Sequence, residues 1–211
     1  MMKNESLAIY GGTFSPPHKG HLRAAEVLLD ALAPDRLLVI PTNLPPHKAV
    51  SPSDSPIHRL EMARLCFSDL PNTEVSDLEI RRTGKSYTVD TLEALTAPGR
   101  DLYFLCGTDM LLTFESWYRF RDIFALTTLV FERRERDATL NDDVTNAVER
   151  YRRDYGARII ELPIDPIVLS STEVRAAIRS GAPRERITEM IPDSVADYID
   201  LHGLYKDHGG H

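Results

Sequence analysis

Short apolar runs alternate along the chain with longer stretches of helical periodicity. Leu7-Ala8-Ile9-Tyr10, Arg36 to Ile40, Val75 to Ile80, Leu102 to Cys106, Thr127 to Phe131 and Ala157 to Leu162 are brief and apolar. They end at Gly, Pro or charged residues, so the pattern predicts buried strands. The run Leu102 to Cys106, between Pro98-Gly99 and Gly107, predicts a central parallel strand. Helices are predicted over Leu22 to Leu32, Pro56 to Phe67 (Leu60, Ala63 and Phe67 inward), Val89 to Leu95, Asp142 to Tyr155 and Pro192 to Leu204. A further strand is expected to feed a helix from Ser170 to Arg179, because Ser170 and Glu173 fit a capping box and Gly181 is a stop signal. Ser86 or Thr88 is the expected N-cap of the helix at Val89.

This alternation from residue 7 to about residue 180 predicts an α/β fold, a doubly wound parallel sheet with a small, mainly helical C-terminal part. The expected organisation is a core over 1–180, a helical extension over 181–205 and a disordered tail over 206–211. Pro41 to Lys48 holds three prolines in a stiff loop at the C-terminal edge of a strand, where open α/β sheets bind ligands. Ser51 to Pro56 reads as a mobile segment and Arg81 to Lys85 as a basic turn.

Composition narrows the classes. Hydrophobic residues at 42% and charged residues at 27% are ordinary for a soluble globular chain. The opening Met-Met-Lys-Asn-Glu-Ser lacks the apolar run of a signal peptide, and no run approaches a membrane span. Cys66 and Cys106 lack metal-ligand spacing and read as reduced core thiols, which points to the cytoplasm. A formal charge of −7 argues against coating nucleic acid, yet permits a local basic pocket for a small anion, from 81–85 or 133–136. His208 and His211 lie in the tail and suggest no metal site.

Chemistry concentrates in Gly11-Gly12-Thr13-Phe14-Ser15-Pro16-Pro17-His18-Lys19-Gly20-His21-Leu22. A strand, a glycine turn and a helix start present backbone N–H groups and a positive dipole end, which suits phosphate. His18 and His21 share one helical face, and Gly20 between them lets a ligand approach the backbone. The same residues could be no more than caps and a turn. Ser170-Ser171-Thr172, with Arg175 one turn on, would also suit a polyphosphate, although the capping box alone is only a helix signal. Gly107-Thr108-Asp109 puts a carboxylate at another strand edge, where it could accept ribose hydroxyls or cap a helix. Trp117-Tyr118 is either core or a stacking platform. There is no Walker A string, G-x-G-x-x-G or internal repeat.

The first string resembles the G-x-F-x-P-x-H-x-G-H signature of the Rossmann-like nucleotidyltransferases, with Ser15 where Asp often stands. His58 to Met62 also matches, and Pro45-Pro46-His47-Lys48, Ser86-Tyr87-Thr88 and Trp117 narrow the resemblance to the bacterial nicotinate-nucleotide adenylyltransferases. That resemblance implies joining ATP to nicotinate mononucleotide with release of pyrophosphate, in NAD biosynthesis. It implies Mg²⁺ held mainly by the ATP phosphates, with no protein metal ligands and no nucleic-acid or membrane partner. Self-association stays open.

Carried onto this chain, the resemblance gives His18, His21 and Arg175 as catalytic donors to phosphate. Gly11, Gly12, Thr13, Phe14, Gly107, Asp109, Ser170, Ser171 and Thr172 would line ATP. Lys48, Ser86, Tyr87, Thr88, Trp117 and Tyr118 would hold the mononucleotide, with Trp117 stacked on the nicotinate ring and the N–H groups of Thr88 and Tyr118 on its carboxylate. Arg133 or Arg134 would assist with phosphate. The alternatives are another transferase of the superfamily, adenylating phosphopantetheine or using CTP, and a nucleotide-binding regulator without turnover.

Overall fold

The strand β1 (Glu5–Gly12) shows why the sheet is covered on both sides. Leu7 and Ile9 pack into one apolar cluster and Ala8 and Tyr10 into another, all four buried. A strand's period of two sends neighbouring side chains to opposite faces, so both faces must find helices. The structure is a computed structural model that describes residues 3–43, 55–132, 139–162 and 167–206.

The other strands are β2 (Arg36–Pro41), β3 (Thr73–Val75), β4 (Arg100–Gly107), β5 (Thr128–Glu132) and β6 (Arg158–Glu161). Among the described residues they form one six-stranded sheet in the order β3-β2-β1-β4-β5-β6, with every pairing parallel. The order reverses between β1 and β4. The register Ile9↔Phe104 and Tyr10↔Leu105 brings their glycine ends, Gly12 and Gly107, to the same edge. A crevice at such a reversal is the usual ligand site of an open parallel sheet.

One face is covered by α1 (Lys19–Leu32), α2 (Pro56–Phe67), α7 (Ser171–Arg179), α8 (Arg184–Met190) and α9 (Asp193–His202). They contribute Ala24, Ala25, Leu28, Met62, Ala63, Phe67, Val174, Ile187, Val195 and Ile199 to a common core. The other face takes α3 (Thr88–Leu95), α4 (Thr108–Leu112), α5 (Phe120–Leu126) and α6 (Thr139–Tyr155), through Val89, Leu92, Leu111, Ile123, Phe124, Val144 and Tyr151. Each fully buried Leu or Phe removes enough apolar surface from water to contribute roughly 1.5–3 kcal/mol.

The doubly wound parallel sheet is the predicted one, and three local expectations are corrected. The strand expected over Val75 to Ile80 is only Thr73–Val75. Beyond it Leu78 N–H turns back to Ser76 Oγ and Arg81 N–H to the Asp77 carbonyl, so the chain leaves the sheet edge in a turn. No strand precedes α7 among the described residues, since 167–170 is irregular. The N-cap of α3 is Tyr87, not Ser86 or Thr88. The α7 capping box forms as expected, with Ser170 Oγ accepting from Glu173 N–H at 3.2 Å and the Glu173 carboxylate accepting from Ser170 N–H at 2.7 Å. Gly181, at φ 69°, follows that helix's end. Among the described residues no helix is long and apolar enough to cross a membrane. Cys66 and Cys106 are buried free thiols, and burial pushes Cys66 up to about 12.

Candidate active site

The loop from β1 into α1 is held by the side chains that sequence reasoning singled out. His18 is the N-cap of α1, 3% exposed, and forms a reciprocal capping box with His21. His18 Nδ1 accepts from His21 N–H at 3.3 Å, and His21 Nδ1 accepts from His18 N–H at 3.2 Å. The two rings lie 3.7 Å apart between centroids. A ring nitrogen that accepts a hydrogen bond carries no proton, so each neutral imidazole keeps its hydrogen on Nε2. The capping bonds thereby set both histidines as Nε2–H donors.

Two glycines make this packing possible. A β-carbon on Gly20 would stand 3.0 Å from the His18 ring, and one on Gly12 would stand 2.9 Å from the Phe14 ring. Phe14 itself sits in the left-handed region at φ 50°, where a bulky residue is strained. Edge-on contacts with Tyr10, His21 and Phe67, at 5.4, 5.1 and 5.7 Å between centroids, hold it there.

The start of α7 closes on the same loop. Arg175 Nη1 donates to the Ser15 carbonyl at 2.6 Å, Arg175 Nη2 donates to Thr172 Oγ1 at 3.1 Å, and Ser171 Oγ donates to the Pro16 carbonyl at 2.9 Å. The structure thus brings together two strings about 155 residues apart in the chain, each at a helix N-terminus. The Glu173 carboxyl is held below its ordinary range by the Ser170 hydroxyl and N–H. Gly107 is the N-cap of α4, Thr108 Oγ1 donates to the Glu132 carbonyl at 3.0 Å, and Asp109 is exposed at the same sheet edge.

A second group lies over the other face of the sheet. Tyr87 and Tyr118 stand with rings 4.7 Å apart, which places the start of α3 beside the segment before α5. Arg119, left-handed at φ 53°, fastens that segment through 2.7 Å to Glu93 of α3 and 2.6 Å to Asp122 of α5. Trp117 is partly buried, with one indole face stacked on Phe114 at 4.8 Å. Phe104 links this group to the first. Its ring lies 6.3 Å from Trp117 and 3.5 Å from where a Gly11 β-carbon would be. The Ser86 hydroxyl is buried and accepts from Asn43 N–H at 3.2 Å, so it faces the protein's own polar groups. Thr88 opens α3, where the first N–H groups have no partner within the helix. Lys48, with His47, lies outside the described residues, as do Arg133, Arg134, residues 51–54 and the tail histidines.

Two residues at the site had no role assigned from the sequence. Arg59 is fully buried and donates to the Thr13 carbonyl at 2.8 Å and the Asn43 carbonyl at 2.9 Å, joining the loops that follow β1 and β2. The string His58 to Met62 marked its neighbourhood, but nothing in the helical pattern marked an inward guanidinium. Glu79 is 7% exposed and accepts from Thr91 Oγ1 at 2.8 Å. Burial pushes its carboxyl above the ordinary range, against the hydroxyls of Thr91 and Ser86, the Arg82 charge and Thr42, which lower it. Among the described residues no group of three or more His, Cys, Asp or Glu could hold a metal ion.

The cytidylyltransferase-like family model matches residues 9–177, a span that takes in both helix-start strings. A protein of Caldicellulosiruptor saccharolyticus named "probable nicotinate-nucleotide adenylyltransferase" is 34% identical over 201 residues, covering 95% of this chain and 99% of that one. A protein of the same name from Desulfitobacterium hafniense is 36% identical over 207 residues, covering 95% of each. In fold, the chain resembles a Plasmodium falciparum nicotinic acid mononucleotide adenylyltransferase complexed with NaAD. The TM-score is 0.75 at 20% identity, over 95% of this chain and 97% of that one.

Proposed function

We infer the reaction from one premise: the chain belongs to the cytidylyltransferase-like family, among its nicotinate-nucleotide adenylyltransferases. It is an enzyme that joins ATP and nicotinate mononucleotide to give nicotinate adenine dinucleotide and pyrophosphate. A phosphate oxygen of the mononucleotide attacks the α-phosphorus of ATP. The bond to the β-phosphate oxygen breaks, and pyrophosphate leaves with the electron pair. The nucleophile is already an anion, so no side-chain base is required. The protein's work is alignment and neutralisation of the charge that grows on the leaving group.

In this reading His18 and His21 donate Nε2–H to the phosphates, and α1 and α7 direct their N-termini at the same charge. Arg175 braces the loop through the Ser15 carbonyl and adds a fixed positive charge. Gly11 to Phe14, Gly107, Asp109 and Ser170 to Thr172 line the nucleotide at the β1–β4 reversal. Trp117 offers the nicotinate ring the indole face that Phe114 does not cover, and the N–H groups of Thr88 and Tyr118 take its carboxylate. Mg²⁺ enters as part of the ATP substrate, held by phosphate oxygens, since the side chains set against the phosphates, His18, His21 and Arg175, are hydrogen-bond donors, and among the described residues no group of three or more His, Cys, Asp or Glu could hold the ion.

The observation that carries this reading is the closure of α7 on the β1–α1 loop, which gathers two imidazole donors and two helix N-termini at one sheet edge. Pyrophosphate release with ATP and Mg²⁺ tests it, comparing nicotinate mononucleotide with nicotinamide mononucleotide. Strong preference for the acid is expected. Equal use of both would discard the carboxylate pocket, and turnover of neither by folded protein would discard the reaction.

A further inference from the structure

Glu79 ends a chain of hydrogen bonds whose direction can be worked out. Thr91 Oγ1 donates to it at 2.8 Å while receiving a bond from Arg82 Nη1 at 3.3 Å. Ser86 Oγ receives a bond from Asn43 N–H at 3.2 Å and hydrogen-bonds Glu79, as does the Thr42 side chain. Arg82 also donates to the Asp90 carbonyl at 3.3 Å, and Asn43 Nδ2 donates to the Arg82 carbonyl at 2.9 Å. A hydroxyl has a single hydrogen. Thr91 spends that hydrogen on Glu79 Oε1, and the Ser86 and Thr42 hydroxyls favour the ionised Glu79 carboxyl as donors do, so residue 79 serves as the acceptor of the network.

The groups so joined are the ones that set the start of α3. Ser86 stands just before the Tyr87 N-cap, Thr91 lies in the first turn, and Thr42 and Asn43 follow β2 at the sheet's ligand edge. We propose that Glu79 is a positioning residue for recognition of the nicotinate carboxylate, anchoring the first turn of α3 so that the Thr88 N–H is aimed at it. This rests on the reaction and pocket proposed above. The anionic substrate group is not repelled, because the Glu79 charge is spent on hydroxyl donors and faces Arg82. The isosteric amide is a poorer substitute, since it replaces one acceptor oxygen by an NH₂ donor and removes the negative charge that faces Arg82.

The test is Glu79→Gln, assayed by pyrophosphate release with each substrate varied, alongside a thermal melt. The expected result is a KM for nicotinate mononucleotide raised about tenfold or more, with kcat and the KM for ATP within about threefold. The preference for acid over amide should fall by a similar factor, a ratio that mere loss of stability does not move. A folded variant with unchanged preference, or one impaired mainly in ATP use, overturns the proposal. Thr91→Val and Thr91→Ser decide the matter if Glu79→Gln does not fold. Lowered preference in the first and restored preference in the second support the anchoring role, while wild-type preference in both overturns it. Wild-type enzyme that uses acid and amide alike would overturn the carboxylate reading itself.

Discussion

Replacing Gly20 by alanine separates the stability of α1 from its chemistry. Gly20 is the second residue of the helix, and the added β-carbon would stand 3.0 Å from Cε1 and Nδ1 of His18 and 3.2 Å from the Ile167 carbonyl oxygen. Comfortable contacts to carbon are about 3.5–4.0 Å, so the imidazole must give by roughly 0.5 Å. The bond from His21 N–H to His18 Nδ1 is already 3.3 Å long, and that shift carries it out of range. Losing one cap costs about 1 kcal/mol, whereas alanine in place of glycine returns up to about 1 kcal/mol of helix preference. The melting temperature should therefore fall by no more than about 2–4 °C. Nothing compensates the chemistry. A donor moved by a fraction of an ångström should cost about ten- to a hundredfold in kcat, with the KM for ATP within about threefold. Initial rates of pyrophosphate release at saturating ATP and nicotinate mononucleotide, with a thermal melt, provide the measurement. Wild-type kcat in the alanine variant would refute the claim that glycine fixes the working position of His18. A drop in melting temperature beyond about 10 °C would refute the compensation.

Trp117→Ala should raise the KM for nicotinate mononucleotide roughly three- to tenfold while sparing ATP. A change confined to ATP would show that the indole does not stack on the acceptor. Arg59→Leu should strip the donor from two carbonyls and cost about 3–5 kcal/mol, or roughly 10 °C or more in a thermal melt. A loss under about 3 °C would mean that the guanidinium is dispensable. Glu173, lowered from its ordinary 4.5, contributes stability that is present above that value and lost as pH falls through the folded-state pKa. Glu173→Gln should therefore melt below wild type at pH 7 and converge on it in acid. A gap that stays constant with pH would refute the cap's charge dependence.

The long, periodic elements of the fold were legible, and the elements set by local contacts were not. β1, β2, β4, α1, α2 and α9 follow patterns that burial imposes directly on residue type. α4, α5 and α8, of five, seven and seven residues, make too few turns to show a period. The segment 113–119 is shaped by Phe114, Trp117 and the left-handed Arg119, which no spacing announces. At the site, glycine strings and capping residues pointed to both helix starts, because their chemistry is local. Glu79 was hidden for the opposite reason. It lies where an apolar strand was expected, and its partners Thr42, Ser86 and Thr91 come from three separate segments. Arg59 was hidden likewise, since its acceptors are backbone carbonyls at residues 13 and 43.

The sheet divides the interior into two half-cores, and in the proposed function the division falls between the two substrates. Tyr10, Phe14, Val174 and the inner side of α1 support the histidines and Arg175 from one cluster. Tyr87, Trp117, Phe114 and the inner sides of α3 and α5 support the groups proposed to hold the acceptor from the other. Among the described residues, links between the two sides include Phe104 and the Arg59–Asn43–Ser86 bonds. Such an architecture lends itself to modular change. In the proposed function, a change of acceptor would be met by rebuilding α3 to α5, with the phosphate-handling half left in place. The same partition offers a design rule: libraries aimed at a new acceptor belong on residues 86–88 and 113–119, and Gly11 to His21 should be left alone.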